Sequence, residues 1–341
     1  MGQQIIKSKT KKIYHEDTKT RSGFRDSSEP RPYQLLLGFI HKFKLNVSIR
    51  QLPSEFRGPL CVLVSSWFIF LLSCSQPPAV PISPSPRIAS TSPAGSELVL
   101  ALGLSDHLVA VSKYDNDPAI SSKPQIGDYQ SIDWEKLSPL QPDYLIVQIA
   151  PDRLPADLQQ RCDEQHIQLI NVRLNTLADI FSEVKDLGDE LHEPDKAAQA
   201  TADLRSQLDA VHARVGNLPA VRAVVAISDS GLSLAGPGTF LDDLLTIAGG
   251  QNAAGPDAPE YFSVDRERLT AMNPDVVIQL IPGGDAKPQV LAAAAEVWAS
   301  MPDLPAVKNH RIVTITDWYA IQPGRKVADL AKQFADALHP Q

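Results

Sequence analysis

Glu135-Lys-Leu-Ser-Pro-Leu-Gln-Pro-Asp-Tyr-Leu-Ile-Val-Gln-Ile149 recurs 132 residues further on as Glu267-Arg-Leu-Thr-Ala-Met-Asn-Pro-Asp-Val-Val-Ile-Gln-Leu-Ile281. Each copy reads as a short helix, a Pro-Asp turn and an apolar strand. Pro142 and Pro274 end the helix, because proline has no N–H to donate and its ring clashes with the turn before it. The runs Tyr144–Ile149 and Val276–Ile281 lack apolar/polar alternation, the pattern of a strand covered on both faces of a parallel sheet. A second pair, Leu98–Gly103 and Leu244–Gly249, reads as an apolar helix closed by glycine. Repeats this far apart describe two similar lobes and not a solenoid.

Further strands fit the same plan: Arg87–Ser90, Val109–Ser112 and Ile167–Val172 in the first half, Ala223–Ser228 and Arg311–Thr316 in the second. Between the halves, Pro194–Val215 has proline in its first turn and an apolar stripe of Ala197, Ala200, Ala202, Leu204, Leu208 and Val211, with Gly216 at its end. Such a helix is about 33 Å long at 1.5 Å per residue. The fold class is therefore α/β: two Rossmann-like lobes, residues 87–193 and 217–341, joined by one long helix, 194–216. A single rigid helix limits hinge motion, and a ligand belongs in the cleft between the lobes, at the carboxyl ends of the strands. A chain of 341 residues is long enough for both lobes.

Charge divides the chain. Residues 1–73 hold 12 Lys/Arg and 5 Asp/Glu, a net of +7, which leaves 20 and 35 for residues 74–341, a net of −15. A body so acidic is no partner for nucleic acid. In the basic leader, Arg50 and Arg57 precede an apolar run of about fifteen residues, Pro59 to Ser73, interrupted by Ser65 and Ser66. Membrane spans need roughly 20; this length suits the core of a signal peptide. The run ends Leu71-Leu72-Ser73-Cys74, which resembles the lipobox of bacterial lipoproteins, where the signal is cut before the Cys and the thiol is acylated. Residues 47–73 thus read as a lipoprotein signal peptide, and 74–86, rich in Pro and Ser, as a tether. Residues 1–46 exceed the usual leader; they read as a disordered basic extension, or as sequence upstream of a true start near Val47 read from a non-AUG codon. With Cys61 removed and Cys74 lipidated, Cys162 is left alone, so the mature chain forms no internal disulfide. Cys162 lies in the helical pattern Asp157–Gln165, as a partly buried structural thiol.

Several motifs together identify a relationship. They are Arg87-Ile-Ala-Ser-Thr-Ser-Pro93 followed by Glu97 and Ala101-Leu-Gly103, Gly127-Asp-Tyr129 ahead of Glu135, Gly238-Thr-Phe240 with Ala248-Gly-Gly-Gln-Asn252, and Val307-Lys-Asn309 before the last strand. From about Arg87 to Leu338 the chain resembles the periplasmic binding proteins for vitamin B12, iron-siderophores and haem. The resemblance implies two lobes joined by one helix, and a solute handed to an ABC importer. It implies that Glu135 and Glu267 stand on the lobe tops and dock onto arginines of the importer's membrane subunits. It also implies an aromatic cleft of Tyr114, Tyr129, Tyr261 and Trp318, with Asp317 beside it and, on a looser match, Arg325 as a cleft or pairing arginine. Aromatic faces suit a large flat macrocycle. The expected ligand is a corrinoid ahead of a ferric siderophore or haem, since anionic siderophores call for several cleft Arg or Lys and the loops placed here are poor in them. The ligand is a solute and not a cofactor, and the protein is expected to be a monomer in the cell envelope, outside the cytoplasmic membrane.

Catalytic patterns are missing. Gly231-Leu-Ser233-Leu-Ala235 imitates a nucleophile elbow but lacks the second glycine. Gly236-Pro-Gly238 lacks the third glycine of a dinucleotide loop, and no Walker A lysine is present. The eight His are scattered, with no pair at zinc-ligand spacing, so no metal site is expected. An importer's solute receptor is the primary expectation; an enzyme or adhesion lipoprotein on the same fold is the alternative class. Mass spectrometry of the native protein should find a mature chain that begins at an acylated Cys74, and Cys74→Ala should leave it unacylated. A mature chain beginning before Cys74 would refute the assignment.

Overall fold

Both Pro-Asp turns recur in the computed structural model, which describes residues 85–227, 232–283 and 286–340. Cys74, residues 1–46, the signal segment 47–73 and the tether up to residue 84 lie outside the described residues. The first lobe runs β1 (Ile88–Ser90), α1 (Pro93–Ala101), β2 (Leu108–Ala110), α2 (Trp134–Leu137), β3 (Tyr144–Val147), α3 (Ala156–Glu164), β4 (Gln168–Asn171) and α4 (Leu177–Glu190). The long helix α5 (Pro194–Val215) follows. The second lobe is β5 (Val221–Ala226), β6 (Ser233–Ala235), α6 (Phe240–Ile247), β7 (Gly250–Asn252), β8 (Tyr261–Ser263), α7 (Arg266–Met272), β9 (Val276–Leu280), α8 (Pro288–Ala299), α9 (Pro305–Lys308), β10 (Ile312–Ile315) and α10 (Val327–Leu338).

The internal repeat extends to the backbone. Gln141 and Asn273, the residues before the two prolines, take left-handed φ of 43° and 51°. A following proline disfavours the right-handed helical conformation, so the helix has to end there. In the first lobe the Arg87 guanidinium donates to Leu140 O at 3.0 and 2.8 Å. In the second, Arg222 donates to the equivalent Met272 O at 2.9 Å. Each arginine thus binds a carbonyl left without a partner where the helix ends. Asp143 N–H and Asp275 N–H then bond to Arg87 O and Arg222 O, starting β3 and β9 in register.

Four parallel strands form the first sheet in the order β2-β1-β3-β4. The second sheet runs β10-β9-β5-β6-β8, with β7 beside the start of β5. Its β10, β9, β5 and β7 are parallel, while β6 and β8 are antiparallel additions absent from the sequence-based expectation. Three-residue strands carry too little pattern to register. Ser233 sits within β6, and its hydroxyl is 3.3 Å from that of Ser263 on β8. β2 ends earlier than expected because Ser112 N–H turns to the Asp115 carboxylate at 2.8 Å. Gly103 and Gly249 close their helices at φ +68° and +81°. Gly216 instead ends α5 with φ −64°, its N–H bonded to His212 O. Cys162 is fully buried rather than partly so, and burial pushes its thiol up to about 11.

One hydrophobic core runs from Ile88, Leu98 and Phe181 through Leu204, Leu208 and Val211 of α5 to Leu244, Ile278 and Phe334 of the second lobe. Smaller clusters cover the outer sheet faces, around Leu145 and Cys162 in the first lobe and Val277 and Trp298 in the second. Gln279, the polar residue of the β9 run, accepts a bond from the Trp298 indole at 2.9 Å. The shared core predicts one cooperative unfolding transition for both lobes. Leu208→Ala, at a fully buried site, should cost about 2–5 kcal/mol by denaturant titration. Two separated transitions would contradict a shared core.

Candidate functional site

Strand order reverses between β1 and β3, so their connections leave on opposite faces and a crevice opens at the carboxyl ends. A cavity of about 610 Å³ occupies that place. Its floor is Thr91, Ser92 and Pro93 after β1, Gln148 and Ile149 after β3, and Val172 and Arg173 after β4. Tyr114 and Tyr129 complete the wall, 54% and 47% exposed. The floor is fastened from within. Asn171 grips Ile149 on both sides, accepting from its N–H at 3.0 Å and donating to its carbonyl at 2.9 Å. Ser92 Oγ donates to Gln148 Oε1 at 2.8 Å.

Two loops that brace each other present the tyrosines. Lys113 N–H bonds to Gly127 O, and Lys113 Nζ pairs with Asp128 at 2.6 Å. Asp128 also accepts from Gln130 N and Ser131 N at 2.8 and 2.9 Å, folding the loop around Tyr129. The Lys113 hydrogen bond, aided by those backbone N–H groups, holds the Asp128 carboxyl below its usual range. Lys113 Nζ lies 4.9 Å from the Tyr114 ring centre, within cation–π range.

At both ends the cavity loops are tied to the second lobe. Asn175, a lining residue, accepts from Phe240 N–H at the start of α6. Leu177 N–H donates to Asp243 at 3.0 Å. On the other side Arg325 reaches across to Asp117, three residues beyond Tyr114, and its Nε stands 3.5 Å from Glu97 Oε2. Gly324 permits this approach, since a Cβ there would meet Glu97 Cβ at 2.4 Å. Glu97 is 3% exposed. Desolvation, opposed by Arg325 and reinforced by Asp117, raises its pKa to about 8. Burial likewise raises Asp115 to about 6, against hydrogen bonds from Ser112 N–H and Ser96 Oγ.

The periplasmic binding protein family model matches residues 88–319, which include the whole cavity lining and the Asn175–Phe240 contact between the lobes. The chain belongs to the periplasmic binding protein family. This is a family of binding proteins and not of enzymes, which sets aside the enzyme alternative. The chain is 25% identical over 262 residues to the vitamin B12-binding protein of Vibrio parahaemolyticus, covering 76% of this chain and 89% of that one. An uncharacterized ABC transporter substrate-binding lipoprotein of Bacillus subtilis is 22% identical over 260 residues, 74% of this chain and 80% of that one. Among solved structures, the periplasmic haem-binding protein of Vibrio cholerae superposes with a TM-score of 0.65 at 25% identity, covering 75% of this chain and all of that one. The vitamin B12-binding protein of the same organism gives 0.61 at 22% identity, over 75% of this chain and 97% of that one.

In this periplasmic binding protein, Tyr114 and Tyr129 line one cavity, while Tyr261, Asp317 and Trp318 lie on the second lobe and do not line it. Tyr261 opens β8, 46% exposed, with its phenol pushed up to about 12 by burial and by Glu260. Trp318 packs edge-on to Tyr319 at 5.4 Å and lies 5.9 Å from Arg325. Asp317 accepts from Gln333 Nε2 of α10 at 2.9 Å. Glu135 and Glu267 are exposed in the first turns of α2 and α7, at matching places in the two lobes. Their helices begin alike, Asp133 accepting from Lys136 N at 3.1 Å and Asp265 from Arg268 N at 2.7 Å. Of the lining residues, only Tyr114 and Tyr129 were on the sequence-based list; among those it lacks, Arg173 is the one that carries a full charge. The signal was present, since Arg173 directly follows the expected strand Ile167–Val172.

The pKa of Glu97 is raised in the folded state, so the folded protein holds its proton more tightly than the unfolded chain. That stabilisation is fully present below the ordinary value of 4.5 and is lost as pH rises through about 8. Asp115 acts in the same direction from 3.8 through about 6. Thermal stability should therefore fall between pH 5 and 8. Glu97→Gln should flatten the slope and stabilise the protein at pH 8 by on the order of 1–3 kcal/mol. A slope unchanged in Glu97→Gln would remove Glu97 as its source.

Proposed function

We propose that this protein is the substrate-binding component of an ABC importer, and that its cleft takes a large flat metal-bearing macrocycle, a corrinoid of the vitamin B12 type. The carrying observation is the pair of half-exposed tyrosines, Tyr114 and Tyr129, on one cavity of about 610 Å³ at the strand-order reversal. Rigid aromatic faces bury a macrocycle with little entropy loss of their own. In this reading Tyr261, Trp318 and Asp317 meet the ligand from the second lobe. The likeness to a vitamin B12-binding protein across 89% of its length supports the ligand class. The equal identity to a haem-binding structure supports haem as the second reading, with a tyrosine oxygen available to ferric iron. An iron chelate of another kind is the remaining alternative.

Glu135 and Glu267 are proposed to dock on basic sites of the two membrane subunits. Each exposed pair contributes about 0–1 kcal/mol alone, but two on one rigid body reinforce each other through effective concentration. A groove of about 560 Å³ flanks Glu267, between α7 and the segment Ser300–Leu304, and offers room for a permease loop. A lipid on Cys74 would hold the monomer at the outer side of the cytoplasmic membrane or within the periplasm, in line with the lipoprotein name of the Bacillus relative.

Calorimetric titration of the full chain with cyanocobalamin, haemin and a panel of ferric siderophores tests the ligand class, together with uptake assays in the host. A submicromolar dissociation constant is expected for one of them, and Trp318→Ala should weaken it by about 1–3 kcal/mol. Glu135→Lys and Glu267→Lys should abolish uptake yet leave affinity within about twofold. If no ligand binds, the cleft reading falls. A roughly tenfold affinity loss in the glutamate variants, about 1.4 kcal/mol, would instead place them in the cleft.

A further inference from the structure

Among the described residues lining the cavity, Arg173 alone carries a full charge. It is exposed at the carboxyl end of β4, between Asn171 and Asn175. Neighbouring polar groups are engaged by the protein itself. Asn171 holds Ile149, Ser92 holds Gln148, and Asp179 accepts from Asn175 N–H and Thr176 N–H. Glu183 accepts the backbone N–H of Arg173 at 3.3 Å but does not line the cavity. The nearby cation Lys113 is paired to Asp128. A positive wall without a carboxylate is notable in a body whose net charge is −15 from residue 74 onward.

Capture of a large ligand covers the cavity and strips water from the guanidinium. A neutral macrocycle would leave that charge desolvated and unpaired, which opposes binding. An anionic group at the ligand edge would replace the lost hydration, and the planar fork of arginine fits carboxylate or phosphate oxygens in pairs. We infer that Arg173 is a specificity residue that receives a carboxylate or phosphate substituent at the edge of the ligand seated against Tyr114 and Tyr129. This rests on the cavity being the ligand site.

Two pairs of probes test it on the full chain. Haemin against its dimethyl ester isolates the carboxylates, and cyanocobalamin against dicyanocobinamide removes the phosphodiester together with its nucleotide, so in that pair only the part of the difference lost in Arg173→Ala counts for the phosphate. In at least one pair the anionic member should bind about tenfold more tightly. Arg173→Ala should erase that difference by weakening the anionic member while the neutral member binds as tightly as before or more tightly, with the melting temperature unchanged, and Arg173→Lys should retain part of the difference because it keeps the charge without the fork. The pair that discriminates names the substituent. Equal binding within both pairs, or equal weakening of both members by Arg173→Ala, overturns the inference and leaves the cavity reading standing. If no probe binds at all, the cavity reading fails and the inference with it.

Discussion

A strand that runs parallel to its predecessor can be reached only by a connection passing over a face of the sheet. In the first lobe those connections part company between β1 and β3. The connection from β1 carries α1 into the core shared by both lobes, while that from β3 carries α3 onto the opposite face, around Leu158 and Cys162. Right-handed crossovers leave no other arrangement for this strand order. The crevice left at the carboxyl ends is where Thr91, Gln148 and Arg173 converge, so the cavity follows from topology before any side chain is chosen.

The second constraint is the way the lobes are held. The long helix α5 contributes Leu204, Leu208 and Val211 to a core that also contains Ile88 and Phe334, so separating the lobes would expose apolar surface from both. Polar contacts sit at both ends of the cavity: Phe240 N–H on Asn175 O, and Arg325 on Asp117 and Glu97. The second contact is electrostatically costly, because Glu97 is nearly buried and its carboxyl is driven upward by desolvation. Arg325 ties the Tyr114 loop to the loop bearing Trp318.

Chemically, the cavity offers two aromatic faces and one unmatched cation, with most other polar groups bonded internally. Such a wall is rigid on the ligand's scale. Asn171 and Asp128 each use several hydrogen bonds to fix the loops that present the lining residues. Preorganisation of this kind keeps the entropic cost of binding low.

The repeat Glu135–Ile149 and Glu267–Ile281 determined two lobes, the strand positions within them and the matching places of Glu135 and Glu267. Proline, glycine and unbroken apolar runs act locally, so they are legible without a fold. The same holds for α5, whose bounds follow from Pro194 and its apolar stripe. Tyr114 and Tyr129 could be picked out as loop residues, yet only folding placed both on one cavity, through the Lys113–Asp128 pair. The antiparallel β6 was illegible because three residues carry too little pattern, and β8 and the partner of Arg325 were illegible because each depends on residues far along the chain that share no local pattern. Sequence periodicity reports which face of an element is apolar; which loops meet across a cleft is decided by strand order and core packing, which arise only when the whole chain has collapsed.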